Sequence, residues 1–311
     1  MKVLIVSSTA NNKLSPFIKE QMDSLITIGI NCILFPITRG GILGYAKHLL
    51  LLKKMIKTER PDLIHAHYGL SGLLANLQRG IPVITTFHGT DINNKKIRWI
   101  SSIVARLSTT SIYVTEHLKK LAKNDQGIVI PCGVDLSIFK PQDMASSKQK
   151  MKLNIEMNYV LFCSSFNNPI KNSPLAISAF NNVRKQLDID MELIELNNFS
   201  RQEVSLLLNA SYCLIMTSYS EGSPQVIKEA LATNRPIVST LVGSVKELIS
   251  DIEGCELVDS KLNSATAGLK SCIKYSIEHG ATMGRDHIKS KQLGLKQIAT
   301  NIESIYRHTL N

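Results

Sequence analysis

The 311-residue sequence lacks any C-x-x-C pair. Its six cysteines, Cys32, Cys132, Cys163, Cys213, Cys255 and Cys272, are widely separated, which argues against a zinc ribbon or redox motif and favours a reducing compartment. They read as small core residues. Aromatic residues make up only 5% of the chain and no RNA- or DNA-binding motif is present, so a nucleic-acid module is disfavoured despite a net charge of +11. No run approaches the roughly 18 apolar residues of a membrane-spanning helix, and "KVLIVSSTA" at the start is too short for the apolar core of about 7–15 residues in a signal peptide. A cytosolic protein is expected. The stretch "SSTANNKLSPF" after the first apolar run lacks G-x-G-x-x-G, which weighs against a nicotinamide dehydrogenase. There is no fixed-period repeat and no low-complexity tract.

With 44% hydrophobic side chains, the chain can bury two cores without disulfides or metal. The charge is unevenly spread: the whole surplus of +11 lies in residues 1–150, while residues 151–311 are balanced. The first half is therefore suited to something anionic, whether nucleic acid, a membrane face or a phosphorylated substrate. Short β-branched runs, "KVLIVS", "INCILFPI", "DLIHAH", "PVITTF", "TSIYVT" and "GIVIP", alternate with amphipathic stretches up to residue 131. After a polar segment containing Pro141 the pattern restarts with "NYVLFCSS", "MELIEL", "YCLIMTS", "RPIVST" and "CELVDS". This predicts two α/β domains with parallel sheets, 1–143 and 150–290, followed by a final helix over 291–311.

Ligands of open parallel sheets sit beyond the carboxyl ends of the strands, which draws attention to "YSEGSPQVIKEALA" after the strand "YCLIMTS". Pro224 suits the first helical position and Ser223 a cap, so the start of this helix is expected to receive a phosphate through its amides and dipole. Gly222 permits close approach of a ligand to the backbone. Glu221 stands on the lip and Glu229 further along the helix, where each can bind a hydroxyl-bearing group, and a phosphate flanked by two polyols is a nucleotide sugar. The same residues also fit a plain helix start carrying solvated acids.

This segment resembles the Glu-x7-Glu signature of the retaining family 4 glycosyltransferases, which have the GT-B fold of two Rossmann-like domains facing across a cleft. Four other stretches are similar to that family in the same order: "PDLIHAHYG" (61–69), "TTFHGTD" (85–91), "IPCGVDLSIFKP" (130–141) and "LVGSVKELI" (241–249). The resemblance covers most of the chain, and it implies that the last helix crosses back to the first domain. It implies transfer of a sugar from a nucleotide diphosphate sugar to a glycan or lipid-linked acceptor, as in cell-surface polysaccharide or lipopolysaccharide synthesis. It also implies that Glu221 contacts the donor sugar, Glu229 the ribose, the amides near Gly222 and Ser223 the pyrophosphate, and that His88 faces the reacting centre. Retention implies same-face attack, with the leaving phosphate taking the acceptor's proton, and neither a protein nucleophile nor a catalytic metal is expected.

The sequence departs from the family in two places. In "CSSFNNPIKNSPLAISAF" (163–180) Lys171 matches the phosphate-binding lysine, but Ser165 stands where an arginine is usual. After "MELIEL" the chain runs directly into the next helix, without the family's Gly-rich loop and extra helix and strand. Other residues keep two readings. His65 and His67 share one face of a strand and suggest a metal pair or two satisfied core histidines. Asp91 either binds acceptor or caps the helix after its turn. Lys47, Lys53, Lys54 and Lys57 share a helical face suited to anionic lipid or to solvent, and Lys95, Lys96, Arg98 and Trp99 add to the basic side. The expected location is cytoplasmic, peripheral at the inner membrane face. A sugar-nucleotide epimerase of the same fold, and a basic protein that binds nucleic acid or an anionic surface without catalysis, are the alternatives.

Overall fold

The structure is a computed structural model that describes residues 1–9, 13–38 and 42–311. Part of the "SSTANNKLSPF" stretch, residues 10–12, lies outside the described residues. The chain divides into two compact units, Met1–Gly133 with Leu295–Asn311, and Val134–Gly294. Each of the eleven runs read from the sequence is a strand, and every strand pairing is parallel.

The first unit runs β1 (Lys2–Ser8), α1 (Pro16–Thr27), β2 (Asn31–Ile37), α2 (Ile42–Glu59), β3 (Leu63–His67), α3 (Gly69–Asn76) and β4 (Val83–Phe87). It continues with α4 (Thr90–Asn93), α5 (Lys95–Leu107), β5 (Thr110–Tyr113), α6 (Glu116–Ala122) and β6 (Ile128–Val129). The sheet order is β2-β1-β3-β4-β5-β6. Strand alternation splits the core between its two faces. Val3 and Ile5 of β1 pack with Ile18 and Leu25 of α1, whereas Leu4 and Val6 pack with Leu52 of α2 and Leu74 of α3. Helix α5 starts where the Asn94 side chain accepts from the Lys96 amide and stops at Ser108, whose backbone is extended.

The second unit comprises α7 (Met144–Lys150), β7 (Asn158–Phe162), α8 (Ser173–Leu187), β8 (Met191–Glu195), α9 (Arg201–Ala210) and β9 (Cys213–Met216). There follow α10 (Gln225–Ala232), β10 (Ile237–Thr240), α11 (Val245–Ile249), β11 (Glu256–Val258), α12 (Leu262–His279) and α13 (Gly284–Ser290). Its sheet order is β11-β10-β9-β7-β8. Helix α9 opens on a full capping box between Ser200 and Glu203, which explains how the chain turns directly from β8 into a helix.

Two boundaries differ from the sequence reading. Residues 134–143 pack with the second unit: Phe139 lies in its core and the Val134 amide donates to the Leu293 carbonyl. The last helix, α14 (Leu295–Leu310), begins later than read, after α13 and a turn, and it belongs to the first unit as the resemblance implies. Its Ile298, Ala299, Ile302 and Tyr306 close the face of the sheet shared with α1. Among the described residues no helix is long and apolar enough to cross a membrane.

Candidate functional site

In the second unit the chain goes from β7 outward to β8 and returns on the other side of β7 to form β9. The crevice at the carboxyl ends of β7 and β9 is thus the switch point where such sheets bind ligands. Lys171 leaves β7 on this edge and Glu221 leaves β9. The structure joins them, with Lys171 Nζ 2.7 Å from Glu221 Oε1 and side chains 19% and 14% exposed. The loop after β9 sets this geometry. Thr217 Oγ1 donates to the Lys171 and Asn172 carbonyls, and the Tyr219 amide donates to the Ile170 carbonyl.

Gly222 and Ser223 come next, against the loop that follows β10. The Ser244 amide donates to the Gly222 carbonyl and the Ser244 hydroxyl to Ser223 Oγ. Gly243 has φ +54°, and a Cβ there would collide with the Gly222 carbonyl oxygen, so glycine is required for the two loops to meet. The cap differs from expectation: Pro224 is the N-cap and the Ser223 side chain does not cap the helix. A proline cap has no side-chain acceptor of its own, and the positive end of the helix dipole lies just beyond Gly222 and Ser223.

Glu229 lies in α10, 3% exposed, and accepts from Arg201 Nη2 at 2.6 Å. Arg201 also stacks over the Phe139 ring, 4.6 Å from its centroid. This arginine was missed in the sequence. Its place at the head of a capping-box helix is legible there, but its partner lies one strand and 28 positions away. Ser165, at the position usually held by arginine, is half-buried and accepts from the Asn167 amide within its own loop.

In the first unit, His88 follows β4 and lies beside the end of β3. His88 Nε2 is 2.9 Å from His67 Nδ1, and its ring packs on Phe17 and Tyr68. His67 stacks on His65, whose nitrogens contact the Tyr306 hydroxyl at 2.6 Å and Thr86 Oγ1 at 2.7 Å. Of the two readings of His65 and His67, the structure supports satisfied core histidines. Among the described residues no three His, Cys, Asp or Glu side chains are grouped to hold a metal.

Asp91 is buried, and its carboxylate accepts from the Gly69, His88 and Gly89 amides. Of the two readings of Asp91, the structural one is observed, because its oxygens fix the turn that carries His88. Burial pushes its carboxyl up, opposed by those amide bonds. Tyr68 at φ 73°, ψ 152° occupies a region otherwise kept for glycine, a strain of about 1–3 kcal/mol in the residue that faces His88. Only the folded backbone reveals it.

Residues 9–138 match Glycosyltransferase Family 4, and residues 184–273 match Glycosyl transferases group 1. Each of the two units thus carries a match to a glycosyltransferase family model. The chain is 25% identical over 244 residues to the putative teichuronic acid biosynthesis glycosyltransferase TuaC of Bacillus subtilis, covering 67% of this chain and 62% of that protein. It is 26% identical over 266 residues to the UDP-Gal:alpha-D-GlcNAc-diphosphoundecaprenol alpha-1,3-galactosyltransferase of Escherichia coli, covering 70% and 69%. The alignment with TuaC thus spans less than two thirds of that relative's length. Among solved structures, sucrose-phosphate synthase from Thermosynechococcus elongatus matches with a TM-score of 0.80 at 15% identity, over 99% of this chain and 98% of that one. Anabaena HepE in complex with UDP and glucose matches with a TM-score of 0.73 at 16% identity, over 99% and 100%. These likenesses establish the two parallel-sheet α/β units of the GT-B fold.

The buried histidines are expected to make the first unit acid-sensitive. Burial pushes His65 down to about 3 and His67 well below its ordinary value, with His65 and His88 adding to the latter. Unfolded histidine titrates near 6.5, so stability present above that pH is lost as pH falls, by about 1.4 kcal/mol per unit for each imidazole. Thermal melts at pH 7, 6 and 5 are expected to show falling midpoints, and His65→Gln to reduce the slope. Equal slopes for both proteins would remove His65 from this account.

Proposed function

We propose that this protein is a retaining hexosyltransferase that moves a sugar from a nucleotide diphosphate donor to a glycan or lipid-linked acceptor. Its setting is cell-surface polysaccharide or lipopolysaccharide synthesis, at the cytoplasmic face of the membrane. The observation that carries this reading is the Lys171–Glu221 pair at the switch point of the second sheet, beside Gly222 and the start of α10. The names of the two relatives, one for teichuronic acid synthesis and one for a UDP-galactose donor and a diphosphoundecaprenol acceptor, support it as well.

The chemistry follows from charge. Breaking the bond between the anomeric carbon and the diphosphate builds positive charge on the sugar ring and negative charge on the departing phosphate. Lys171 and the first amides of α10 stabilise the phosphate side, and Glu221 orients the sugar hydroxyls. Glu229 takes the ribose, positioned by Arg201, and Gly222 and Ser223 line the pyrophosphate. His88, held by His67 and the Asp91 turn, is the first unit's residue assigned to the reacting sugar by the family resemblance. The acceptor attacks on the face the diphosphate leaves, and its proton passes to that leaving group. Leaving-group charge is thus assigned to Lys171 and backbone amides, with no part given to a metal.

A panel of nucleotide sugars tests the reading. The true donor is expected to raise the melting temperature as its concentration rises above Kd, and to yield nucleoside diphosphate and a product of retained anomeric configuration only when acceptor is present. Donor consumed with no acceptor marks an epimerase instead, and an inverted product removes the retaining assignment.

A further inference from the structure

The charge of the first unit is concentrated on one layer. Helix α3 packs against both α2 and α5 on one face of the sheet, while α1 and α14 pack together on the other. Helices α2, α3 and α5 carry eight Lys or Arg residues and one acid, Glu59, which is paired with Lys2. Helices α1 and α14 carry three Lys or Arg and three acids. The basic layer also exposes large apolar side chains where a monomer facing only water has no use for them. Leu50 is 71% exposed between Lys47 and Lys54, and Trp99 (62%) and Ile103 (42%) lie one turn apart between Lys96 and Arg106. The opposite side of α5 is the buried one, with Ser101 and Val104 against the body of the unit.

We infer that the outer face of α2, α3 and α5 is a docking surface for anionic lipid. Cations attract the headgroups, while Leu50, Trp99 and Ile103 enter the boundary between headgroups and acyl chains, the depth tryptophan prefers. Exposed Leu and Ile have no counterpart in a nucleic-acid backbone, and one tryptophan offers little for stacking successive bases. This inference rests on the membrane location proposed above, but its readouts require no turnover. Sugar transfer by a protein that ignores vesicles overturns the docking surface alone. Vesicle binding without transfer overturns the transferase reading alone.

Trp99 is the only tryptophan in the chain, so its emission reports this face. The full-length protein is mixed with vesicles of phosphatidylcholine alone, or of phosphatidylcholine with phosphatidylglycerol, at low and high salt. Cosedimentation with the anionic vesicles only, weakened by salt, with a blue shift of Trp99 emission, is the expected result. Each basic residue at a membrane surface strengthens binding by about fivefold, so Lys54→Glu with Arg106→Glu is expected to weaken it by at least about 25-fold without moving the melting temperature. Three results overturn the inference: no binding to anionic vesicles, binding with unshifted Trp99 emission, or an oligonucleotide that quenches Trp99 while vesicles stay unbound.

Discussion

Lys171→Ala is expected to slow sugar transfer by about 10²–10³-fold, the usual loss when one stabiliser of developing charge is removed from an active site. Lys171 already sits 2.7 Å from Glu221 and is anchored through the Thr217 contacts to its own carbonyl, so it meets the departing diphosphate without reorganising. The fold is expected to survive, because a partly exposed ion pair contributes about 1 kcal/mol or less. Glu221→Ala separates two roles for the glutamate. If it only holds Lys171, the double variant is no slower than Lys171→Ala; if it also orients the sugar, the double variant loses more. Transfer at the wild-type rate in both single variants, with a confirmed donor, ends the assignment.

Arg285→Met is expected to destabilise the second unit by about 3 kcal/mol, the scale of lost hydrogen bonds to a charged group and of carbonyls left unpaired. Arg285 Nη1 donates to the Phe139 and Ala232 carbonyls at 2.6 and 3.0 Å, and Nη2 to the Leu136 carbonyl at 2.8 Å. One guanidinium thereby ties the incoming segment, residues 134–139, to the end of α10. At about 2–4 °C per kcal/mol for a unit of this size, calorimetry is expected to record a midpoint lower by roughly 6–12 °C. A lysine offers no planar fork, so Arg285→Lys is expected to recover only part of the loss. A drop of a degree or less would show that the three bonds are replaced by water.

These two sites differ in how far they can be read from the chain. Lys171 and Glu221 stand in short stretches whose residue types announce their chemistry, a cation and an acid beside a Gly-Ser-Pro turn and a helix. Arg285 stands in an unremarkable helix start, and nothing nearby marks it as the clamp of the 134–139 segment. That segment reads as part of the first domain because it is polar and precedes the second set of strands, yet Phe139 is buried in the second core. Likewise Asp91 sits in a motif that fits either ligand contact or a helix cap, and only its three amide donors show that its carboxylate is committed to the turn.

The sequence by itself determined the two parallel α/β units, since the alternation of β-branched runs with amphipathic helices is a local property and leaves few topologies open. It also determined which loops carry the candidate site and which half is basic. Only the tertiary structure decided the partners: Lys171 with Glu221, 50 positions apart, Arg201 with Glu229, 28 apart, and His65 with Tyr306, 241 apart. The reason is that strand order, not chain order, sets which loops meet at the carboxyl edge of a sheet and which helix covers each face.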